Sequence, residues 1–139
     1  MTETKDIRWK QRFENYKKAF NSLQVSKEAY EKDEDDQFIR DSVIQRYEFT
    51  IELAWKTMKD YLEEQGFTDV SSPKGAARKA FQEGLVTDGE GWIEALEDRN
   101  KTSHIYEESM AIEIATAIVE VHFLLFRDLY LHLKREYDV

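Results

Sequence analysis

Arg99, Asn100, His104 and Tyr106 bring four reaction-capable groups into one short stretch, Glu97-Asp98-Arg99-Asn100-Lys101-Thr102-Ser103-His104-Ile105-Tyr106. An imidazole can take up or release a proton near neutral pH, and a guanidinium can grip a phosphate through two parallel hydrogen bonds. Arg99 and His104 stand five residues apart, a spacing that leaves two side chains well separated around an unbroken helix. They converge only if the backbone turns between them. Thr102 and Ser103 predict that turn as the N-cap of a final helix, with Glu107 and Glu108 in its first turn and His104 at its positive end. There the dipole disfavours the imidazolium, so the ring is expected to stay neutral near pH 7. The free amides and Arg99 would together hold a phosphate.

The rest of the chain must position this stretch. All five glycines and the single proline fall between Gly66 and Gly91, leaving long uninterrupted segments on either side of one divided connector. Apolar residues Trp9, Phe13, Tyr16, Phe20 and Leu23 recur at intervals of three and four and predict an amphipathic helix over Ile7–Tyr30. Asp33-Glu34-Asp35-Asp36 reads as an acidic turn, since consecutive carboxylates point in different directions and make a poor metal site. A second helix is expected from Gln37 to Gln65, with Ile44, Tyr47, Ile51, Trp55, Met58 and Leu62 as its stripe and Gly66 as its stop. Ser72 and Pro73 open a short helix through Gln82 that Gly84 closes, and Trp92–Arg99 predicts another. The last helix is expected to run from Ser103 to Tyr137, about 50 Å at 1.5 Å per residue. Its stripe would be Ile105, Ile112, Ala115, Val119, His122, Phe126, Leu129 and Leu133. Val121 to Phe126 is apolar nearly all round, which places it centrally or against a second subunit. The expectation is an all-α fold: an antiparallel four-helix-type bundle with one or two extra short helices.

Composition narrows the function. At 139 residues with 41% hydrophobic content the chain fits one domain, residues 1–139, with a core of its own. It lacks cysteine, so disulfides and thiolate metal sites are excluded, which suits a reducing, cytoplasmic setting. The polar N-terminus lacks the apolar core of a signal peptide, and Glu120 and His122 interrupt the longest apolar run, so no membrane role is expected. A net charge of −9 disfavours a general nucleic-acid-binding surface. Any RNA contact must be local, and Lys74, Arg78 and Lys79, with Lys101 nearby in sequence, form the one candidate patch, for which a solvated helix face is the simpler account.

The spacing Arg99-Asn100-x-x-x-His104-x-Tyr106 resembles the R-x4-H-x-Y motif of the HEPN superfamily of small helical proteins. Ile44 to Lys56, the Ser72-Pro73 helix start, Ala80 to Leu85, and Trp92 ahead of Glu97 to Asn100 extend the resemblance to its nucleotidyltransferase substrate-binding branch, which includes HepT-type toxins. The likeness covers most of the chain from about residue 37 onward. It implies that Arg99, His104 and Asn100 match the residues HEPN ribonucleases use, without metal or cofactor. It also implies that Tyr106 accepts AMP from a partner minimal nucleotidyltransferase (MntA-like) encoded nearby, which silences the toxin. One histidine per chain is sparse for both acid and base, so a homodimer with a composite site is expected, with RNA as substrate. The competing reading is a non-catalytic helical subunit that presents substrate to that nucleotidyltransferase. No pattern of spaced aspartates after a Gly-Ser pair is present, so nucleotide transfer must come from the partner.

The remaining polar residues have ordinary readings. His122 falls on the apolar stripe as a core histidine, and Asp128 with His132 reads as a surface pair at i,i+4 rather than a metal site. Arg46, Glu48, Glu52 and Lys56 form exposed pairs or a polar network, and their place in the family-like segment points to a supporting role near Arg99.

Overall fold

The computed structural model describes residues 2–139, with side chains described from Arg8 onward. Helix α1 spans Thr2–Lys32 and α2 spans Gln37–Glu64. The acidic turn between them becomes a cap: Asp36 Oδ1 accepts from the amides of Phe38 and Ile39 at 2.8 and 3.2 Å. At the far end of α2, Gly66 takes φ +101°, and the amide of Phe67 reaches back to the carbonyl of Leu62, closing the helix where expected. Helix α3, Pro73–Gln82, starts at Ser72, whose hydroxyl accepts from the Gly75 amide, and Gly84 at φ +78° closes it.

Helix α4 is longer than expected, Gly89–Lys101 instead of Trp92–Arg99. Asp88 caps it by accepting from the Gly91 amide at 2.9 Å. Gly89 is tolerated in that first turn because a Cβ there would stand 2.9 Å from the Phe81 ring.

The final long helix departs most from expectation. It begins at Glu108, not Ser103, with Glu107 at the N-cap position. Residues Thr102–His104 instead form a 3₁₀ turn that continues α4, and Ile105 is extended. The Ser103 hydroxyl donates backwards to the carbonyl of Asn100 at 3.0 Å, and the Thr102 hydroxyl lies 2.7 Å from the carbonyl of Arg99. Both thus turn to the C-terminal end of α4 rather than to the amides of the next helix. Helix α5, Glu108–Ala117, then passes through a π turn, Ile118–His122, into α6, Phe123–Tyr137.

Cross-contacts fix the topology. Arg12 pairs with Asp60, and Arg46 reaches the carbonyl of Ser22, so α1 and α2 are antiparallel. Tyr16 donates to the carbonyl of Phe126 and Phe20 stacks on Phe123, so α6 is antiparallel to α1 as well. Trp92 meets Phe126 while Asp98 meets His122, which sets α4 antiparallel to α6. The four-helix-type antiparallel bundle is thus made by α1, α2, α4 and α6, with α3 as the extra short helix.

Trp9, Phe13, Tyr16, Tyr47, Ile51, Met58, Leu62, Trp92, Phe126, Leu129 and Leu133 form the core. Burying aliphatic or aromatic side chains of this size stabilises by about 1.5–3 kcal/mol each before entropy is counted. Phe123, Leu125 and Phe126 are buried, whereas Val121 and Leu124 face out; Ile112, expected on the buried stripe, is 40% exposed. By length and composition Glu108–Tyr137 could cross a membrane, with mean hydropathy 1.7 in its most apolar window, but half of that window is buried inside the bundle.

Candidate functional site

The stretch singled out by spacing sits where α4 ends, and α2 holds it in place. Glu48 and Glu52, one turn apart on α2, reach it at two points: Glu48 Oε2 accepts from the Thr102 hydroxyl at 2.6 Å, and Glu52 Oε2 lies 3.9 Å from the Arg99 guanidinium. Glu52 also pairs with Lys56 at 3.6 Å. Arg46 instead ties α2 to α1. Beneath them Tyr47 is fully buried and donates a very short hydrogen bond to the carbonyl of Ala95, pinning α4 one turn before Arg99. Burial raises the Tyr47 phenol far above its ordinary range; the Asp98 charge adds to this and Arg99 opposes it.

A partly buried pair completes this support. His122, at the end of the π turn, donates from Nε2 to Asp98 Oδ2 at 2.7 Å and stacks on Tyr47 with ring centroids 5.8 Å apart. Lys101 approaches the other Asp98 oxygen at 3.5 Å. His122 is indeed a core histidine, but its partner lies 24 residues away in sequence, which no local spacing signals. The residue next to Arg99 is therefore locked to the long C-terminal helix.

Arg99 and Asn100 line a cleft of about 520 Å³ together with Lys74, Arg78, Glu52 and Trp55. His104 and Tyr106 do not line it. They lie on the exposed side of the 3₁₀ turn, with His104 Nδ1 3.3 Å from the Tyr106 hydroxyl and Tyr106 81% exposed. Because the next helix starts only at Glu108, its positive end does not act on His104 as the spacing suggested. Of the basic patch, Lys74 and Arg78 reach the cleft, whereas Lys79 is drawn to Glu83 and the Phe67 ring, and Lys101 to Asp98. His132 lies 3.9 Å from Glu136 rather than pairing with Asp128. Among the described residues no group of three or more His, Asp or Glu side chains could hold a metal ion.

Residues 11–135 match the family described as nucleotidyltransferase substrate binding protein like. This chain belongs to the nucleotidyltransferase substrate binding protein like family. Among curated relatives of this family member, the probable ribonuclease HepT of Haemophilus influenzae is 32% identical over 103 residues, 68% of each chain. A crystal structure of a Thermus thermophilus protein superposes with a TM-score of 0.75 at 29% identity, covering 86% of this chain and 99% of that one. A Haemophilus influenzae protein, solved as the fold of a substrate binding domain of a nucleotidyltransferase, gives a TM-score of 0.78 at 24% identity over 88% and 98%. A tri-AMPylated Shewanella oneidensis HEPN toxin, solved in complex with an MNT antitoxin, gives 0.72 at 18% over 90% and 95%. The last two likenesses establish the shared helical bundle of the family.

Proposed function

We propose that this chain is a HepT-like toxin, a metal-independent endoribonuclease of the cytoplasm that a partner minimal nucleotidyltransferase neutralises by AMPylating Tyr106. The observation that carries this is the pairing of an exposed tyrosine hydroxyl with the histidine base, 3.3 Å apart, on the turn that follows Arg99. In cleavage His104 takes the proton from a ribose 2′-OH, whose oxygen attacks the adjacent phosphorus. The bond to the 5′-oxygen breaks, leaving a 2′,3′-cyclic phosphate, and that oxygen receives a proton. Arg99 offsets the charge that develops on the phosphorane, with Asn100 as a neighbouring donor. Because one histidine cannot be both acid and base at once, a second copy supplies the other. The exposed apolar side chains Ile112, Val121, Leu124 and Leu131 offer a face for that homodimer.

AMPylation follows when the Tyr106 oxygen attacks the α-phosphorus of ATP on the partner and pyrophosphate leaves. The new phosphodiester would crowd His104 and repel RNA, so modification and cleavage exclude each other. The probable ribonuclease relative and the AMPylated, antitoxin-bound toxin with the same fold support this reading. A second reading, a non-catalytic subunit that presents substrate to a nucleotidyltransferase, is favoured by the carboxylates that pair with Arg99, Lys74 and Lys101.

The two readings part on substitution. His104→Ala and Arg99→Ala should keep fold and dimer but abolish toxicity and RNA cleavage, with chelator leaving the parent active. Tyr106→Phe should cleave like the parent yet resist partner plus ATP. If His104→Ala stays as toxic as the parent, the substrate-presenting subunit takes the place of the ribonuclease.

A further inference from the structure

The cleft beside Arg99 carries, besides Arg99 and Asn100, residues that neither proton transfer nor Tyr106 modification uses. Its wall carries the indole of Trp55, and Lys74 and Arg78 stand on one face of α3, four residues apart. Arg99 and Asn100 close it from α4. Its volume, about 520 Å³, falls within the range of small-ligand sites, roughly 300–1,000 Å³.

Its cations are only loosely engaged. Lys74 lies 3.6 Å from Glu97 and Arg99 3.9 Å from Glu52, both beyond the 2.7–2.9 Å typical of charge-assisted hydrogen bonds. Arg78 is exposed and has no ion-pair partner among the described residues. A phosphate could therefore draw Arg99 from Glu52, which keeps Lys56. An aromatic wall beside such cations suits a base attached to that phosphate, since every base offers a π-face.

We infer that this cleft holds one nucleotide of a single-stranded RNA, its base on Trp55 and its phosphate on Lys74, Arg78 and Arg99, next to the bond that is cut. The assignment to a strand rests on the ribonuclease reading; the nucleotide chemistry does not. Arg99 would serve both the held phosphate and the scissile one, which ties binding in the cleft to alignment for cleavage.

Trp55 provides its own reporter, because the other two tryptophans, Trp9 and Trp92, are 3% and 1% exposed. The full chain is titrated with a fluorescein-labelled 2′-O-methyl RNA tetramer, which lacks the attacking hydroxyl, and both anisotropy and tryptophan emission are followed. The tetramer should quench the emission, and inorganic phosphate should compete without quenching. Trp55→Leu should weaken binding about tenfold, the scale of a lost base stack. Trp55→Phe should abolish quenching yet keep most of the affinity, which separates stacking from misfolding. Arg78→Ser should weaken binding and lower the salt slope by about one. Tetramer affinity indifferent to Trp55 and Arg78 in folded variants overturns the inference, and if His104-dependent cleavage persists, the ribonuclease reading stands alone. Binding through Trp55 by a chain that cuts no RNA sinks the ribonuclease reading and keeps the nucleotide site. ATP that binds through Trp55 where the tetramer does not overturns the assignment to a strand.

Discussion

Replacing His122 by Phe tests whether the partly buried pair with Asp98 holds the end of α4 in place. Phenylalanine keeps a ring against Tyr47 and fills a similar volume, so the cavity cost is small. What is lost is one hydrogen bond to a carboxylate, worth about 1.5–3 kcal/mol. Asp98 retains Lys101 at 3.5 Å and is partly open to solvent, which blunts the loss. The expected destabilisation is about 2 kcal/mol. Unfolding entropy of about 2.1 cal/mol/K per residue gives about 0.29 kcal/mol/K for this chain, so the melting temperature should fall by about 7 °C. Asp98→Asn should cost about 1 kcal/mol, and the double variant about 2 rather than 3. Urea unfolding at pH 7 and one fixed protein concentration measures all three, since association would otherwise shift the midpoint. Strict additivity, with a coupling below about 0.3 kcal/mol, would show that the pair carries no joint load and refute this account.

Other outcomes follow from the same geometry. Burial raises the phenols of Tyr16, Tyr47 and Tyr61, so the folded state keeps protons that the unfolded chain releases above pH about 10; stability should be level below that pH and fall above it, and Tyr47→Phe should flatten the decline in urea midpoints. Thr102→Val removes the hydroxyl that donates to Glu48; it should cost about 1–2 kcal/mol, with hydrogen exchange accelerated chiefly over residues 99–106. Leu129→Ala empties a fully buried site and should cost about 2–5 kcal/mol by the same urea assay. Leu124→Glu places a charge on the outer apolar face; light scattering should change from twice 16.5 kDa to 16.5 kDa, and a parent that is already monomeric would remove the two-copy site.

Local chemistry was legible from sequence wherever one residue does a local job. Ser72, Gly66 and Gly84 mark helix ends by capping or by φ, and each stands where its type placed it; Asp36, read only as part of an acidic turn, proves to be the cap of α2. The apolar stripes of α1 and α2 gave their buried faces, because a period near 3.6 leaves little freedom; Trp55, placed on the α2 stripe, is the exception, half-buried in the cleft wall. Thr102 and Ser103 misled because a hydroxyl can accept from an amide ahead or donate to a carbonyl behind, and spacing does not choose between them. Here Thr102 donates to Glu48, far away in sequence, and Ser103 to the carbonyl of Asn100. The same limit applies to the site. Arg99, Asn100, His104 and Tyr106 were found from spacing, yet their division between a cleft and an exposed turn depends on where the last helix begins. Asp98 with His122 was invisible as a pair, since it joins separate helices, whereas the place of Glu48 and Glu52 near Arg99 was read from the family-like segment.

The π turn has a consequence for how this chain can change in length. The Phe123 amide bonds to the carbonyl of Ile118, five residues back, so the helix absorbs one residue without the rotation of about 100° that a residue normally adds. Ile112 and Leu124, twelve positions apart, would diverge by about 120° on a regular helix; with one position absorbed they differ by about 20°, and Leu131 follows within another 20°. The outer apolar row is thus continuous across a helix whose numbering says it should be broken. A deletion at exposed Glu120 would restore regular winding and leave both ends in their present phase, whereas an insertion or deletion two turns away would rotate one end against the other. Indels in this helix should therefore be tolerated at the π turn and resisted elsewhere.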